Sequence, residues 1–318
     1  MAMNSTANVI TIAFYNIENL FDPFDNTTAD DNDFLPFSKK RWTTKRYTNK
    51  LNKIGHAISQ IGPENLNTAP TLVGLAEVEN KKVLTDLIRV KPLEKENYDF
   101  IHYDSPDERG IDVALLYKKE VFKLNYSQSF PVYLEDDLGQ RDYTRDILLV
   151  EGELKNETLN ILVNHWSSRR EGEKETAHKR LAAATAVNTI IQDIKSNNDD
   201  AKIIVMGDFN DNPDNKSIKL MEAKSQLYNP FKTVWSRDAG SLSHNFEWHL
   251  FDQILCSTNF LNSEKSALVY NNAAVFDDRF LTQYDGKYKG QPFRTYVGKH
   301  YKGGYSDHFP VYMELKHP

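Results

Sequence analysis

The sequence contains one cysteine, Cys256, and lacks any long uninterrupted apolar run. A single cysteine excludes an internal disulfide, which fits a reducing compartment but does not establish one. No segment approaches the roughly 20 apolar residues of a transmembrane helix. The first residues, MAMNSTANV, lack the basic region followed by an apolar region that marks a secretory signal. The compartment is left open, because a signal removed earlier would leave no trace.

Two motifs that bind phosphate or calcium are also missing. The apolar run before Asp208 is similar to the strand of a P-loop nucleotide hydrolase, but no G-x-x-x-x-G-K-[ST] occurs anywhere in the chain. Asp208, Asn210 and Asn212 have the spacing that opens an EF-hand calcium loop. Such a loop needs glycine at its sixth position and glutamate at its twelfth, where this chain has Pro213 and Lys219. Both interpretations are therefore excluded.

Motifs of serine hydrolases and zinc proteases are incomplete in the same way. Residues 304–308 approach the G-x-S-x-G nucleophile elbow, but His308 replaces the final glycine, which argues against a serine hydrolase. No H-E-x-x-H is present. His244, Glu247 and His249 lie close enough in sequence for a zinc cluster, although their spacing matches no zinc-protease pattern. A polar loop is the simpler interpretation of these three residues.

The bulk composition is that of a globular protein with a sizeable core. The 318 residues are 40% hydrophobic and 26% charged. No repeat, low-complexity segment or long linker divides them, so we expect one domain over residues 1–318, disorder at 1–8 and a monomer. The formal net charge of −6 gives no broad attraction to nucleic acid or an anionic membrane. An anionic substrate would need a local basic patch or a metal.

Strands and helices alternate along the chain. Short apolar runs rich in β-branched residues predict strands. These are residues 9–16, residues 71–80, YDFIHY, GIDVALLYKK, a hairpin of DILLVEGEL and TLNILVNHW around Lys155-Asn156, KIIVMGDFN, FDQILCS and HFPVYMEL. Apolar spacing and composition predict helices over 39–61, with Ser38 as its cap, 81–90 and 173–195. The alternation indicates an α/β domain with helices covering two packed sheets.

Polar side chains recur where the predicted strands begin or end. They are Asn16, Glu18, Glu77, Glu79, Asp112, Asn164, His165, Asp208, Asn210, Asp252, Ser306, Asp307 and His308. One acid after a strand is usually a turn former or a helix cap. Recurrence on several strands indicates instead that these groups converge at one edge of the sheets. Carboxylates with an amide and almost no thiols suit a hard cation such as Mg²⁺ or Mn²⁺, and the histidines suit proton transfer.

An ordered set of short motifs gives the chain a family resemblance. The pieces are FYNIEN, GLAEVEN, GIDVALLY, VNHWSSRR, VMGDFND, FDQIL and YSDHFPV, which cover nearly the whole chain, from the motif that contains Asn16 to the one that ends at Val311. In this order they resemble the endonuclease/exonuclease/phosphatase superfamily, in its deoxyribonuclease I-like form. The resemblance implies a four-layer α/β sandwich, with two mixed β-sheets face to face and helices outside. It also implies metal-dependent hydrolysis of a phosphoester by direct attack of water.

The resemblance assigns metal ligands and a cofactor. Glu77 matches the glutamate that holds the main metal, with Asn16 and Asp307 nearby. Glu18 stands where many members have aspartate, as a second or water-mediated ligand. The implied ion is Mg²⁺, with Mn²⁺ as an alternative. A metal neutralises charge that develops on the phosphoryl oxygens and the leaving group.

The resemblance also assigns catalytic residues. Asp208 and Asn210 match the pair that orients the water and a phosphoryl oxygen. His308 matches the catalytic histidine, and Asp252 matches its orienting carboxylate. His165 matches a second histidine of the deoxyribonuclease I-like and sphingomyelinase-like branches. Abasic-site enzymes usually carry tyrosine there, which argues against that branch.

Further residues are expected to orient these groups or to contact the substrate. Asp112 is a predicted partner of His165. The substrate-binding candidates are Asn164, Arg145, Arg169 and Arg170. The segment 283–305 interleaves cations with aromatic residues just before His308, and we expect it to touch substrate. The cations at 40, 41, 45 and 46 are expected on a solvated face of the first helix.

The leading interpretation of the sequence is a divalent-metal-dependent nuclease acting on DNA or RNA. The alternative within enzymes is a phosphatase or phospholipase C-like enzyme on a phosphorylated small molecule, inositol phosphate or lipid head group. No amphipathic membrane-binding helix supports the lipid version. A catalytically dead binding module is disfavoured, because competent residues fill every metal and histidine position.

Overall fold

We describe the protein from a computed structural model, over residues 9–25, 31–63, 68–136, 138–262 and 266–317. The disorder expected at 1–8 lies outside these residues. The strands are β1 Val9–Leu20, β2 Leu72–Val78, β3 Tyr98–His102, β4 Asp112–Lys118, β5 Phe122–Phe130, β6 Leu134–Glu135, β7 Arg141–Asp142, β8 Ile147–Leu154, β9 Glu157–His165, β10 Lys202–Asp208, β11 Leu227–Tyr228, β12 Leu242–His244, β13 Glu247–His249, β14 Asp252–Ser257, β15 Val269–Val275, β16 Tyr296–Val297, β17 His300–Tyr301 and β18 Val311–Lys316. The helices are α1 Thr44–Gln60, α2 Lys81–Ile88, α3 Ala177–Asn197, α4 Lys216–Ser225 and α5 Phe231–Val234.

The first sheet has six strands in the order β15-β18-β1-β2-β4-β3. The strand β1 lies at its centre, antiparallel to β18 and parallel to β2. Parallel pairing with β2 brings the carboxyl ends of the two strands to the same edge. Asn16 is in register with Ala76, the residue before Glu77. The predicted groups of these two strands therefore start from neighbouring points.

The second sheet also has six strands, in the order β11-β14-β10-β9-β8-β5. Its central strand β10 is parallel to β9 and antiparallel to β14. Asp208 is in register with His165 on one side and with Asp252 on the other. Three predicted site residues thus form one row across adjacent strands, because antiparallel β14 begins where parallel β9 and β10 end.

The two sheets pack face to face and the longer helices cover their outer faces. Apolar side chains of both sheets form a shared buried core. A methyl group added at Gly74 would stand 2.5 Å from the sulfur of Met206 on the opposite sheet, so glycine permits this close approach. A second core joins α1 and α2 to the first sheet, and a third joins α3 and α4 to the second. The predicted four-layer α/β sandwich is confirmed.

Two predicted helix starts are wrong by a few residues. The helix α1 begins at Thr44, not at Lys39, because Arg41 has a left-handed φ of 51°. The neighbouring Trp42 is fully buried and its indole donates to the Phe21 carbonyl, which ties down the turn. The helix α3 begins at Ala177 rather than at residue 173.

The predicted hairpin around Lys155-Asn156 is confirmed, since β8 and β9 pair antiparallel on either side of it.

The helix α2 ends at Ile88, two residues before its predicted end. Among the described residues no helix is both long enough and apolar enough to cross a membrane.

Candidate active site

The candidate site lies where the two sheets meet at one edge, and a hydrogen bond joins their central strands there. The Asn16 side chain, near the end of β1, donates through Nδ2 to Asp208 Oδ2 at 3.0 Å. Its own Oδ1 accepts the Glu18 N–H. The other Asp208 oxygen, Oδ1, accepts the Asn210 N–H at 3.0 Å. Asn210 has a left-handed φ of 50°, and its side-chain amide donates to the Trp166 carbonyl.

A buried histidine–carboxylate pair makes a second link between the sheets. His308 Nδ1 lies 2.7 Å from Asp252 Oδ2, and Asp252 is fully buried. Ser306 holds this histidine, because its hydroxyl accepts the His308 N–H and donates to the Asn16 carbonyl. Burial opposes the charged imidazolium, but the carboxylates of Asp252 and Asp208 prevail and raise the pKa of His308 well above its usual value. His308 is therefore held as a cation.

The pKa of His165 is shifted in the opposite direction to that of His308. Its Nε2 lies 3.7 Å from Asp208 Oδ2 and 4.0 Å from Glu77 Oε1. Burial, followed by the positive charges of Arg145 and Arg109, lowers the pKa of His165 well below its usual value. One candidate histidine is thus neutral and the other charged, although both face the same aspartate.

Asp208 is the point to which Asn16, His165 and His308 converge. His308 Nε2 lies 3.9 Å from Asp208 Oδ2, on the ring edge opposite its bond to Asp252. Burial and the charge of Asp252 raise the pKa of Asp208 to about 6, against the stabilising charge of His308. A carboxylate with a pKa near neutrality is suited to accept a proton from water.

The prediction that Asp112 orients His165 is wrong. Asp112 Oδ2 pairs with His102 Nε2 at 3.0 Å, and Asp112 Oδ1 accepts the Ser105 N–H and hydroxyl. These contacts use both carboxylate oxygens. The charged group that reaches the His165 backbone is instead Arg145.

Of the four predicted substrate-binding residues, three make contacts within the fold. Arg145 is buried, donating to the His165 and Trp166 carbonyls and pairing with Asp107 at 2.9 Å. Asn164 is fully buried and accepts the Trp166 indole N–H.

Arg169, the third of these, donates to the Asn210 carbonyl and pairs with Asp211. Arg170 is exposed and lines a cavity of about 170 Å³ together with Glu18 and Asp307. Of the four, it is the one whose placement at the site mouth matches the expectation.

Glu77 and Glu18 lie beside this centre in left-handed backbone conformations, with φ of 65° and 50°. Glu77 Oε2 accepts the Asn19 N–H at 2.8 Å, and its Oε1 lies 3.6 Å from Arg109. Glu18 Oε2 accepts the Thr295 N–H at 2.6 Å and lies 3.9 Å from Lys50. Burial, and then the charge of Asp307, raise the pKa of Glu18 to about 7. These contacts favour an anchoring role for Glu18.

The donor set fits a divalent cation. Asn16, Glu77 and Asp307 supply carboxylate and carboxamide oxygens, which Mg²⁺ and Mn²⁺ prefer. Burial and neighbouring carboxylates raise the pKa values of Asp208 and Glu18, so negative charge is in excess here. Asp208, Asp252 and His308 also form one of two groups of described residues whose ligand atoms lie within 4.8 Å of one another. The other group is His102, Asp104 and Asp112.

Two cations of the site have no specific motif in the sequence. Arg294 pairs with Asp307 and lies 4.0 Å from Glu18, and it belongs to the segment 283–305 that the sequence marks as basic. Lys50 is fully buried and donates to the Thr295 hydroxyl and the Tyr305 carbonyl. Its position among the apolar residues of α1 is the one signal, since a lysine on a buried helix face needs a partner.

The sequence matches the Endonuclease/Exonuclease/phosphatase family over residues 11–317. The chain belongs to this family. Members of this family are phosphoester hydrolases, and the chain is an enzyme of that class. No curated protein sequence is similar enough to count as a match.

Solved structures of the family share the fold at low sequence identity. An endonuclease/exonuclease/phosphatase family protein from Bacteroides thetaiotaomicron is 18% identical, with a TM-score of 0.60 over 98% of both chains. A mannosyl-6-phosphatase of the same organism is 17% identical, with a TM-score of 0.59 over 96% of this chain and 99% of that one. D. rerio TDP2 in complex with single-strand DNA product is 12% identical, with a TM-score of 0.53 over 97% and 99%. The likeness shows the fold and does not transfer a substrate.

Proposed function

We propose that the chain is a divalent-metal-dependent nuclease that hydrolyses phosphodiester bonds of DNA or RNA by direct attack of water on phosphorus. The observation that carries this proposal is the opposition of Asp208 and the His308–Asp252 pair across 3.9 Å, with His165 on the third side. Asp208 as the base, His308 as the acid and the neutral ring of His165 then face the same small volume.

Asp208 is the proposed base. Its pKa of about 6 leaves it largely ionised at neutral pH, while still basic enough to take a proton from the attacking water. Asn210 N–H donates to its other oxygen and fixes its direction. The Asn16 amide fixes the first oxygen from the opposite sheet.

His308 is the proposed acid and electrostatic stabiliser. Its raised pKa keeps the proton on the ring at neutral pH, and Asp252 sets the orientation of the ring through Nδ1. The Nε2–H then faces the reacting group, where it can donate to the leaving oxygen or to a phosphoryl oxygen. Neutral His165 supplies a second hydrogen-bonding group without adding a charge.

Glu77, Asn16 and Asp307 are the residues that would hold Mg²⁺ or Mn²⁺. Such an ion, when bound, neutralises charge on the phosphoryl oxygens. Arg294 beside Asp307 and Arg170 at the mouth add positive charge from the protein itself. The phosphate of an anionic substrate is thereby attracted to a site whose own carboxylates would otherwise repel it.

A nucleic-acid substrate is supported by exposed aromatic rings beside the site. Phe246 and Tyr288 stack at 5.5 Å with an interplanar angle of 4°, and Lys287 lies over the Phe246 ring. Trp248, on the same hairpin as Phe246, stacks on Phe309, the residue after His308. Exposed rings between cations are a common platform for nucleobases. TDP2, which shares this fold, has been solved with single-strand DNA product.

A phosphatase on a phosphorylated sugar or similar small molecule is the second candidate. A cavity of about 690 Å³ beside the site combines Trp235 and Trp248 with the polar groups of Asn212, Asp238 and Glu247. Aromatic faces and hydrogen-bonding groups in one cavity suit a polyhydroxylated ring. A mannosyl-6-phosphatase shares the fold.

Nicking of supercoiled plasmid and hydrolysis of bis(p-nitrophenyl) phosphate test the proposal. Both are run with Mg²⁺, with Mn²⁺ and with excess chelator. We expect chelator-sensitive cleavage that falls at least ~10²-fold in Asp208→Asn. The matched control is Asp193→Asn, an exposed aspartate on α3. Hydrolysis of the small ester, with neither nicking nor cleavage of single-stranded DNA or RNA, would reject the nuclease and favour a small-molecule substrate. Near-wild-type turnover in Asp208→Asn would reject the assignment of the base.

A further inference from the structure

A strongly basic pocket lies next to the cavity at the mouth of the candidate site. That cavity, of about 170 Å³, includes Glu18, Asp307 and Lys40 in its lining. The neighbouring pocket, of about 380 Å³, is lined by Lys39, Lys40, Arg41, Arg46, Lys299, His300 and Tyr301. Lys40 belongs to both linings, so the two spaces are neighbours. We call the second space the basic pocket.

The positive charge of the basic pocket is largely uncompensated. Among the described residues, no carboxylate belongs to its lining. Lys40 lies 3.4 Å from Asp33, whereas Lys39, Arg41 and Lys299 form no ion pair with any described residue and are exposed. Five permanent cations are thus gathered in a chain whose formal net charge is −6. Such a local field attracts anions despite the acidic total.

The fold holds the walls of the basic pocket in place. The left-handed φ of Arg41 turns the chain before α1, and Arg46 donates to the Lys40 and Arg41 carbonyls. The Arg46 guanidinium lies over the Tyr301 ring at 4.3 Å. Tyr301 pairs with Tyr296 in the β16–β17 hairpin, and the Tyr296 hydroxyl donates to the Lys40 carbonyl. Segments about 250 residues apart in sequence are thereby locked together.

We propose that the basic pocket binds a second phosphate of the same substrate molecule, the one that adjoins the scissile phosphate in a nucleic-acid strand. This inference rests on the proposed function and specifies its substrate: a strand with consecutive phosphates rather than a lone phosphoester. Lysines and arginines in a rigid pocket position a strand through its backbone without reading its sequence. The simple alternative is a solvated surface with no ligand, and it predicts no effect of these charges on binding.

The binding test compares two double variants. One removes two positive charges from the basic pocket, and the other removes two positive charges from a distant surface. The pocket variant is Lys39→Gln with Lys299→Gln. The matched control is Lys119→Gln with Lys316→Gln, two exposed lysines away from the site: Lys119 directly follows β4 and Lys316 ends β18. The probe is a fluorescein-labelled thymidine hexanucleotide, measured by fluorescence anisotropy with chelator present so that no turnover occurs. Titrations are repeated at several salt concentrations.

We expect the pocket variant alone to weaken binding about tenfold. The slope of log K against log salt should become shallower by about 0.7, since the basic pocket contacts one phosphate and each phosphate contact of a single strand contributes about 0.7. Equal affinity and slope in the two variants would overturn the proposal. Absence of hexanucleotide binding by the wild-type protein would overturn it as well.

A turnover arm separates this inference from the proposed nuclease function. The ratio of kcat/KM for the hexanucleotide to that for bis(p-nitrophenyl) phosphate should fall about tenfold in the pocket variant and stay unchanged in the control. If the wild-type protein binds the strand through the pocket but never cleaves it, the nuclease proposal fails and the second-phosphate site stands. If both variants cleave with the wild-type ratio, the nuclease stands and the pocket is rejected.

Discussion

The substitution Asp252→Asn isolates the electrostatic part of the candidate mechanism. Asp252 is fully buried, and its Oδ2 accepts the hydrogen bond of His308 Nδ1 at 2.7 Å. Asparagine keeps the shape of the side chain and removes its charge. With that charge gone, burial acts on His308 unopposed by its nearest carboxylate, so the pKa of His308 falls.

The expected loss of turnover is at least ~10²-fold, and up to ~10⁴-fold, which is the range for a positioned acid or base. At about 1.4 kcal/mol for each factor of ten, this is a loss of roughly 3–6 kcal/mol of transition-state stabilisation. The fold should survive, because a buried charge is exchanged for a neutral group of the same size.

The assay is the pH profile of kcat/KM on bis(p-nitrophenyl) phosphate with Mg²⁺ present. In the wild-type protein activity should rise as pH rises through about 6, where Asp208 loses its proton, and should fall at alkaline pH, where His308 loses its own. In Asp252→Asn the alkaline limb should move to lower pH. A variant with turnover within about threefold of wild type and an unmoved alkaline limb would refute the reasoning, provided that Asp193→Asn behaves as wild type.

Three further outcomes are expected. His308→Ala should lower turnover at least ~10²-fold while the thermal midpoint of unfolding stays near wild type, as read by circular dichroism. Lys50→Met removes the nearer of the two cations beside buried Glu18 and should cost about 1–3 kcal/mol in urea unfolding, with Glu18→Gln restoring part of it; an unchanged midpoint would contradict this. Gly207→Ala should destabilise by about 1–3 kcal/mol, since the new methyl group would stand 2.4 Å from the Asn164 carbonyl oxygen across the strand pair; a neutral effect would mean that the strands can part.

The fold and the central residues of the site were predictable because local patterns encode them. Alternating apolar runs give the strands, and a polar residue at each strand end marks the edge at which the strands stop. Asn16, Asp208, Asp252 and His308 all come from such ends, and the structure brings them within hydrogen-bond or near-contact distances. The roles assigned to them stay predictions.

The sequence did not predict which group each charged side chain contacts. Asp112 was paired with the wrong histidine, because the choice between His102 and His165 depends on how β3, β4 and β9 are arranged in space. Arg145 and Arg169 looked like phosphate ligands and instead hold backbone carbonyls within the fold. The start of α1 was missed because a left-handed residue at Arg41 interrupts a stretch that has helical composition.

The division of the site between two sheets makes turnover sensitive to how those sheets are aligned. One sheet carries Asn16 and the other carries Asp208, so neither sheet alone holds a working set of groups. A slip of about 1 Å between them is enough to cost ~10²-fold in rate. Substitutions at Met206 and Gly74, which pack against each other between the two sheets, are therefore expected to lower turnover although neither residue lies at the candidate site.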